Sequence, residues 1–329
     1  MRILVTGSSG HLGEALVRIL QATNHDVISV DIAPSPFTQV VGSIADRNVV
    51  GQCMRGVDAV LHTATLHKPH VATHSRQDFV DTNVSGTLNL LEEAAAAKVK
   101  SFVFTSTTSV YGDAMAPADG EPAVWITEDV IPAAKNIYGV TKLAAEGLCQ
   151  LFNRNQKLPC LILRTSRFFP EADDLPETRE AYADENIKAN EYLYRRVSIE
   201  DVVSAHLLAM ERAPDIGFDR YIVSATTPFT RDDLVALRTD AASVVEQHAP
   251  GHNALYAARG WKMFSDIDRV YVNERARTVL GWQPKTDFAR ILDHLRKGES
   301  VVSPLAKSIG KKGYHDDVFS DGPYPVECT

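Results

Sequence analysis

The residues that most constrain this chain stand at its beginning. Ile3 to Val5 reads as a short apolar strand, and Gly7-Ser8-Ser9-Gly10-His11-Leu12-Gly13 follows at once. Leu12, Ala15, Leu16, Ile19 and Leu20 then recur at helical spacing. A strand that runs through three glycines straight into a helix has few ways to fold. The glycines permit a tight turn, a close approach of backbone to a ligand, and close packing of helix on strand. The helix amino terminus favours a phosphate. The stretch therefore opens a dinucleotide-binding unit, with Gly7, Gly10 and Gly13, and His11 and Leu12 beside them, set against a pyrophosphate. Its spacing is Gly-x-x-Gly-x-x-Gly, not the more familiar Gly-x-Gly-x-x-Gly.

The next strand, Val27 to Val30, ends at Asp31. An acidic side chain at that distance from the glycine turn accepts hydrogen bonds from ribose hydroxyls and repels a 2′-phosphate, so NAD is expected over NADP. Val40–Val41, Asp58–His62, Ser101–Thr105, Leu161–Leu163 and Tyr221–Val223 read as further strands. Between them lie a helix capped by Asp46 and a helical stripe of Val80, Val84, Leu88, Leu91 and Ala95. The expected class is α/β: a doubly wound parallel Rossmann sheet of about seven strands, with a smaller, mostly helical C-terminal region. We divide the chain into a cofactor domain, 1–167 with 199–227, and a substrate domain, 168–198 with 228–329. Residues Ala114 to Ala134 read as a loop over the site, and Thr165 to Arg196 as irregular. Ile199–Met210, Arg231–Arg238 and Arg269–Leu280 read as helices, the last broken by Gly281-Trp282-Gln283-Pro284. The tail from Lys307 to Thr329 reads as draped over the body or mobile.

Composition narrows the function. A formal net charge of −8 over 329 residues argues against a general nucleic-acid surface. No apolar run approaches the roughly 20 residues that span a bilayer, and no secretory leader precedes the first strand, so a cytoplasmic protein is expected. Cys53, Cys149, Cys160 and Cys328 show no metal-ligand spacing and read as reduced thiols. The loop from Thr63 to His74 carries His67, Lys68, His70 and His74 without the carboxylates or thiolates of a metal site; a solvated loop and a substrate-facing one fit it equally. No metal is expected.

Tyr138 and Lys142 are four residues apart on a helical pattern and share a face. A cation beside a phenol lowers its pKa from about 10 and makes it usable as an acid/base. Ser106-Thr107-Thr108-Ser109 follows the fifth strand, at the carboxyl end where open α/β sheets place ligands.

Taken in order, Thr6-Gly-Ser-Ser-Gly-His-Leu-Gly13, Asp31, Leu61-His-Thr-Ala-Thr65, Asn83-Val-Ser-Gly-Thr87, Phe104-Thr-Ser-Thr-Thr-Ser-Val-Tyr-Gly112, Tyr138-Gly-Val-Thr-Lys142, Arg196-Val-Ser-Ile-Glu-Asp-Val202 and Leu280-Gly-Trp-Gln-Pro284 resemble the extended short-chain dehydrogenase/reductase family, which contains NAD-dependent epimerases and dehydratases. The resemblance covers roughly residues 1 to 295. It implies that Tyr138 is the catalytic acid/base, that Lys142 binds the nicotinamide ribose and lowers the tyrosine pKa, and that Thr107 hydrogen-bonds the reacting oxygen. It further implies that Gly7, Gly10 and Gly13 hold the pyrophosphate, that His62 and Ala64 line the nicotinamide half, and that Asn83 is a structural or cofactor-side residue. A homodimer through the helices around Asn83–Ala97 and Asn136–Gln150 is also implied.

The departures are informative. Ser43-Ile44 stands where the family often has an aspartate before a hydrophobic residue against adenine. Arg167 occupies the place of an asparagine common in the sugar-nucleotide enzymes, and the segment from Arg167 to Asp201 is short. Both weaken a nucleotide-diphosphate sugar as substrate. Arg167 offers a planar donor for a carboxylate or phosphate, and an interdomain ion pair fits it equally. Thr107-Thr108-Ser109 lacks the acid and base of a 4,6-dehydratase. The expected reaction is hydride transfer to or from NAD at a secondary alcohol or ketone of a small sugar-like or acidic substrate. Thr108, Arg167 and His67 are its candidate contacts. An epimerase is the alternative, and a non-catalytic dinucleotide sensor the alternative of another class.

Overall fold

The structure, a computed structural model, describes residues 1–313 together with 317 and 319. Nine strands are present among them: β1 (Arg2–Thr6), β2 (Asp26–Asp31), β3 (Val40–Val41), β4 (Ala59–His62), β5 (Ser101–Thr107), β6 (Val124–Ile126), β7 (Cys160–Thr165), β8 (Phe218–Val223) and β9 (Arg269–Tyr271). Seven make one sheet in the order β3-β2-β1-β4-β5-β7-β8, every pair parallel, as the sequence predicts. The order reverses between β1 and β4, and a crevice opens there at the carboxyl ends.

Strand side chains alternate between two buried layers. Ile3, Val5, Val103, Leu161 and Leu163 pack with the helices His11–Gln21 and Ile199–Ile216. Leu4, Val60, Phe102, Phe104 and Ile162 pack with Arg47–Cys53, Gly86–Ala96 and Ile137–Gln156. A separate C-terminal core gathers Leu193, Phe229, Val245, Tyr256, Phe288 and Leu295. Asp201 locks the two regions together: its carboxylate accepts from the backbone N–H groups of Lys285 and Thr286 at 2.8 and 2.9 Å. Trp282, fully buried, donates from Nε1 to Ser204 Oγ at 3.0 Å.

Three readings of the sequence are corrected. The stretch Ala114–Ala134 is not all loop, because it contains β6. Arg269–Tyr271 is not helix but strand β9, paired in parallel with β6 through Val124–Arg269, Trp125–Val270 and Ile126–Tyr271. Short runs like these take their conformation from the partner strand rather than from their own periodicity. Thr165–Arg196 is not irregular throughout: it holds the helices Pro176–Ala181 and Asp184–Glu191. The second buries Asn186, Lys188, Asn190 and Glu191. Asn186 and Asn190 both donate to the Lys262 carbonyl, so specific partners replace the apolar stripe a sequence reading looks for. The helix opening at Ile199 also runs on to Ile216.

The described part of the tail, up to 313, lies against the first helix, where Lys312 Nζ pairs with Glu14. The rest of that stretch, including Cys328, lies outside the described residues apart from 317 and 319. Among the described residues no helix is long and apolar enough to cross a membrane.

Candidate active site

The crevice at the carboxyl ends is a cleft of about 1120 Å³. Its cofactor end is built from the turn after β1. Gly7 sits at φ +75°, and a Cβ there would come within 2.7 Å of the Ala64 nitrogen. A Cβ on Gly13 would stand 1.9 Å from the Gly7 carbonyl oxygen, so only glycine lets the helix close on the turn. Gly10 precedes the first helical residue, His11. Leu12 is buried on the core side, although its residue also contributes to the cleft wall. His11 Nε2 lies 2.8 Å from Glu171 Oε1. Burial pushes the Glu171 carboxyl up, but His11 and the backbone N–H groups of Lys312 and of Glu171 itself together outweigh this and leave it below the ordinary value.

Asp31 ends β2 on the cleft wall. It accepts from the Ser9 and Ala33 backbone N–H groups at 3.0 and 2.9 Å, which fix the carboxylate beside the glycine turn. Ser43 and Ile44 line the same end, as does Ala64, whose N–H donates to Thr6 Oγ1 at 3.2 Å. His62 is placed differently. Its ring is buried between Thr6 Oγ1 at 2.8 Å and Thr87 Oγ1 at 2.9 Å and is not part of the cleft wall. Burial holds its pKa well below the ordinary value.

The helix Ile137–Gln156 starts at Asn136, whose side chain accepts from Gly139 N–H, and carries Tyr138 and Lys142 inward. Tyr138 stands beside Thr107, at the end of β5, and both line the cleft. The Ser109 N–H donates to Thr107 Oγ1 at 3.1 Å, which orients that hydroxyl. Asn83 pins the surrounding loop. It accepts from Thr65 Oγ1 and Leu66 N, and donates to Leu66 O and to Thr141 Oγ1 at 3.0 Å. It thereby ties the loop after β4 to the tyrosine helix.

Burial pushes the Tyr138 phenol up to about 12, with Thr107 opposing it. The Lys142 ammonium lies 4.0 Å above the Phe104 ring, and burial drops its pKa to about 7 against the opposing pull of Glu146 and Cys149.

Of the candidate substrate residues, Thr108, Arg167 and His67 all reach the cleft. The His67 ring lies 6.4 Å from that of Tyr138, and burial holds its imidazole well below the ordinary pKa. The Arg167 side chain is largely committed. Nη2 donates to Ala172 O at 2.7 Å, Nη1 reaches Asp174 at 3.4 Å, and the guanidinium lies 5.0 Å from the Phe169 ring. No group of three or more metal-ligating side chains is assembled among the described residues.

Sequence reasoning passed over Arg195, Arg269 and Glu171, which also line the cleft. Arg195 stands beside the recognised Arg196–Val202 motif and had that signal, whereas Arg269 was hidden by the helical reading of its strand.

Residues 3–222 match the NAD dependent epimerase/dehydratase family, and the chain belongs to that family. It is an enzyme, and NAD is its cofactor. The glycine cradle that admits no Cβ and the fixed Asp31 carboxylate fit that dinucleotide. The chain is 26% identical to a 3-beta-hydroxysteroid dehydrogenase of Mycolicibacterium neoaurum, over 86% of this chain and 87% of the relative. It is 25% identical to a UDP-glucose 4-epimerase of Lactobacillus helveticus, over 87% and 92%. A short-chain dehydrogenase/reductase from Agrobacterium tumefaciens, crystallised with NAD, shares the fold at a TM-score of 0.64 and 24% identity, over 94% of this chain and 99% of that one.

The position of Asp31 yields a direct test. Asp31→Ala removes a carboxylate that would accept from ribose hydroxyls and repel a 2′-phosphate. The preference for NAD over NADP is expected to fall about tenfold, on the scale of one charge-assisted hydrogen bond. Dissociation constants from protein fluorescence quenching check this, and an unchanged ratio rejects the ribose role.

Proposed function

We propose that the protein is an NAD-dependent dehydrogenase or reductase acting at a secondary alcohol or ketone of a small sugar-like or acidic molecule. One observation carries the reading. Tyr138 and Thr107 stand together on the wall of the cleft that also contains the glycine turn and Asp31. An acid/base and an oxygen-binding hydroxyl thus share one cleft with a dinucleotide cradle.

The residues divide the work as follows. Gly7, Gly10, Gly13, Asp31, Ser43, Ile44 and Ala64 hold the cofactor, and Lys142 holds its nicotinamide ribose. His62 contributes through Thr6, which it shares with the Ala64 N–H. NAD, when bound, takes up or returns a hydride at the substrate carbon. Thr107 and Tyr138 bind the substrate oxygen. In oxidation the hydroxyl proton passes to the Tyr138 phenolate oxygen; in reduction the Tyr138 phenol gives its proton to the ketone oxygen. A phenol raised by burial to about 12 is held as the acid at neutral pH, ready for reduction.

A second reading, an epimerase, is favoured by the near full-length match to a UDP-glucose 4-epimerase. Its proton transfers at Tyr138 are the same, run in both directions in one turnover. The two are separated by screening sugars, sugar acids and nucleotide sugars with NAD while following both NADH absorbance and product stereochemistry. Stoichiometric NADH supports the dehydrogenase; inversion without NADH rejects it. The exposed Val140 and Leu151 on the tyrosine helix support a homodimer, which a light-scattering mass of one chain would rule out.

A further inference from the structure

We propose that Arg195 and Arg269 form an anion-binding pair at the substrate end of the cleft, and that the molecule turned over carries a carboxylate or phosphate held between them. The proposal deepens the functional reading above and rests on it for the reaction, but not for the binding.

The pair is assembled by parts of the fold distant in sequence. Arg195 lies in the turn after the helix Asp184–Glu191, and Arg269 opens β9. The Tyr271 N–H donates to the Tyr194 carbonyl at 3.0 Å and brings the two segments together. The guanidinium carbons of Arg195 and Arg269 lie 5.5 and 5.9 Å from the centroid of one ring, Tyr194. Both residues line the cleft.

Each arginine is clamped from behind. Arg195 Nη2 lies 3.0 Å from Asp173 Oδ2 and 2.8 Å from Glu191 Oε1. Arg269 Nη1 lies 2.8 and 2.6 Å from the two Asp268 oxygens. Asp173, Glu191 and Asp268 are not part of the cleft wall. One nitrogen of each planar fork is thus spent on orientation, and the other terminal nitrogen of each is left to share an acceptor with its neighbour arginine. The Nε of each is buried without a hydrogen-bond partner among the described residues. Arg195 lies near enough to act on Arg269 as a like charge. Both side chains are partly exposed, 24% for Arg195 and 17% for Arg269, and an anion in the cleft offsets what remains of their mutual repulsion. The acids on the wall nearby are already engaged, Glu171 by His11 and by the Lys312 N–H, and Asp174 by Arg167 and Lys68.

The test uses the NADH-loaded protein and isothermal titration with glucose, glucuronate and glucose 6-phosphate, probes that differ in the charged group. Wild type is expected to bind one of the acids about tenfold more tightly than glucose, the scale of one charge-assisted contact, and the tighter acid identifies the anion. Arg269→Gln is expected to bring acid and neutral sugar within about twofold of each other with NADH affinity unchanged, and Arg269→Lys to retain part of the preference. Arg195→Gln is the second variant, read the same way. Equal binding of acid and neutral sugar by wild type, or a preference that survives in both glutamine variants, overturns the proposal. Tyr138→Phe keeps the two ideas apart: an acid preference intact in this variant, with turnover equal to wild type, leaves the arginine pair standing and removes the catalytic reading.

Discussion

Tyr138→Phe is expected to lower turnover by about 10²- to 10⁴-fold, the usual contribution of a positioned proton donor or acceptor, while leaving NAD affinity nearly unchanged. The ring stays in place, because the substitution removes only the hydroxyl on which Thr107 acts. The pH profile supplies an independent readout. With burial holding the phenol up at about 12, the phenolate needed for oxidation is scarce at neutral pH, so wild-type oxidation climbs with pH through the alkaline range. Reduction uses the protonated form and stays flat over the same range. Tyr138→Phe should flatten the oxidation profile. Steady-state rates in both directions decide the matter, and full activity in the phenylalanine variant would sink the acid/base assignment.

Arg164→Met is expected to be the most destabilising single change near the site. Arg164 is fully buried on β7. It donates to Glu146 through Nε at 3.0 Å and Nη2 at 2.7 Å, and to Tyr111 OH through Nη1 at 3.0 Å. Glu146 Oε1 also accepts from Ser106 Oγ at 2.6 Å. Removing the arginine strands the carboxylate away from water, a loss of about 3–5 kcal/mol. The double variant Glu146→Met/Arg164→Met leaves no orphaned charge and should recover much of it. Because Ser106 adjoins Thr107, the single variant should also slow turnover. Denaturation midpoints of the single and double variants check the point; a loss under about 1 kcal/mol in the single variant would show that the pair is not structural.

These two residues mark what a local pattern in the sequence reveals and what it leaves hidden. Tyr138 announced itself because its chemistry depends on a local spacing, four residues to Lys142 on one helix. The glycine turn and Asp31 are also local, set by a strand, a turn and the end of the following strand. Arg164 gave no such signal, since its partners Glu146 and Tyr111 come from a different helix and a different turn. Lys142 shows a subtler limit. Its position on the helix was readable, yet the place of its ammonium was not, because that depends on Phe104 from β5. Likewise His62 was readable as a residue at the end of β4, while Thr6 and Thr87 decide that its ring faces the core.

What the sequence determined by itself is the sheet, the glycine turn with Asp31, and the placing of Tyr138 and Lys142 on one helix, because these rest on periodicity, glycine conformations and residues close together in the chain. What only the tertiary structure decided is the substrate end. Arg195 and Arg269 meet across Tyr194 because β9 pairs with β6 and its backbone hydrogen-bonds the turn at Tyr194. A pairing between strands more than a hundred residues apart leaves no mark in either short run, and so the two arginines come together on the cleft wall only once the chain has folded.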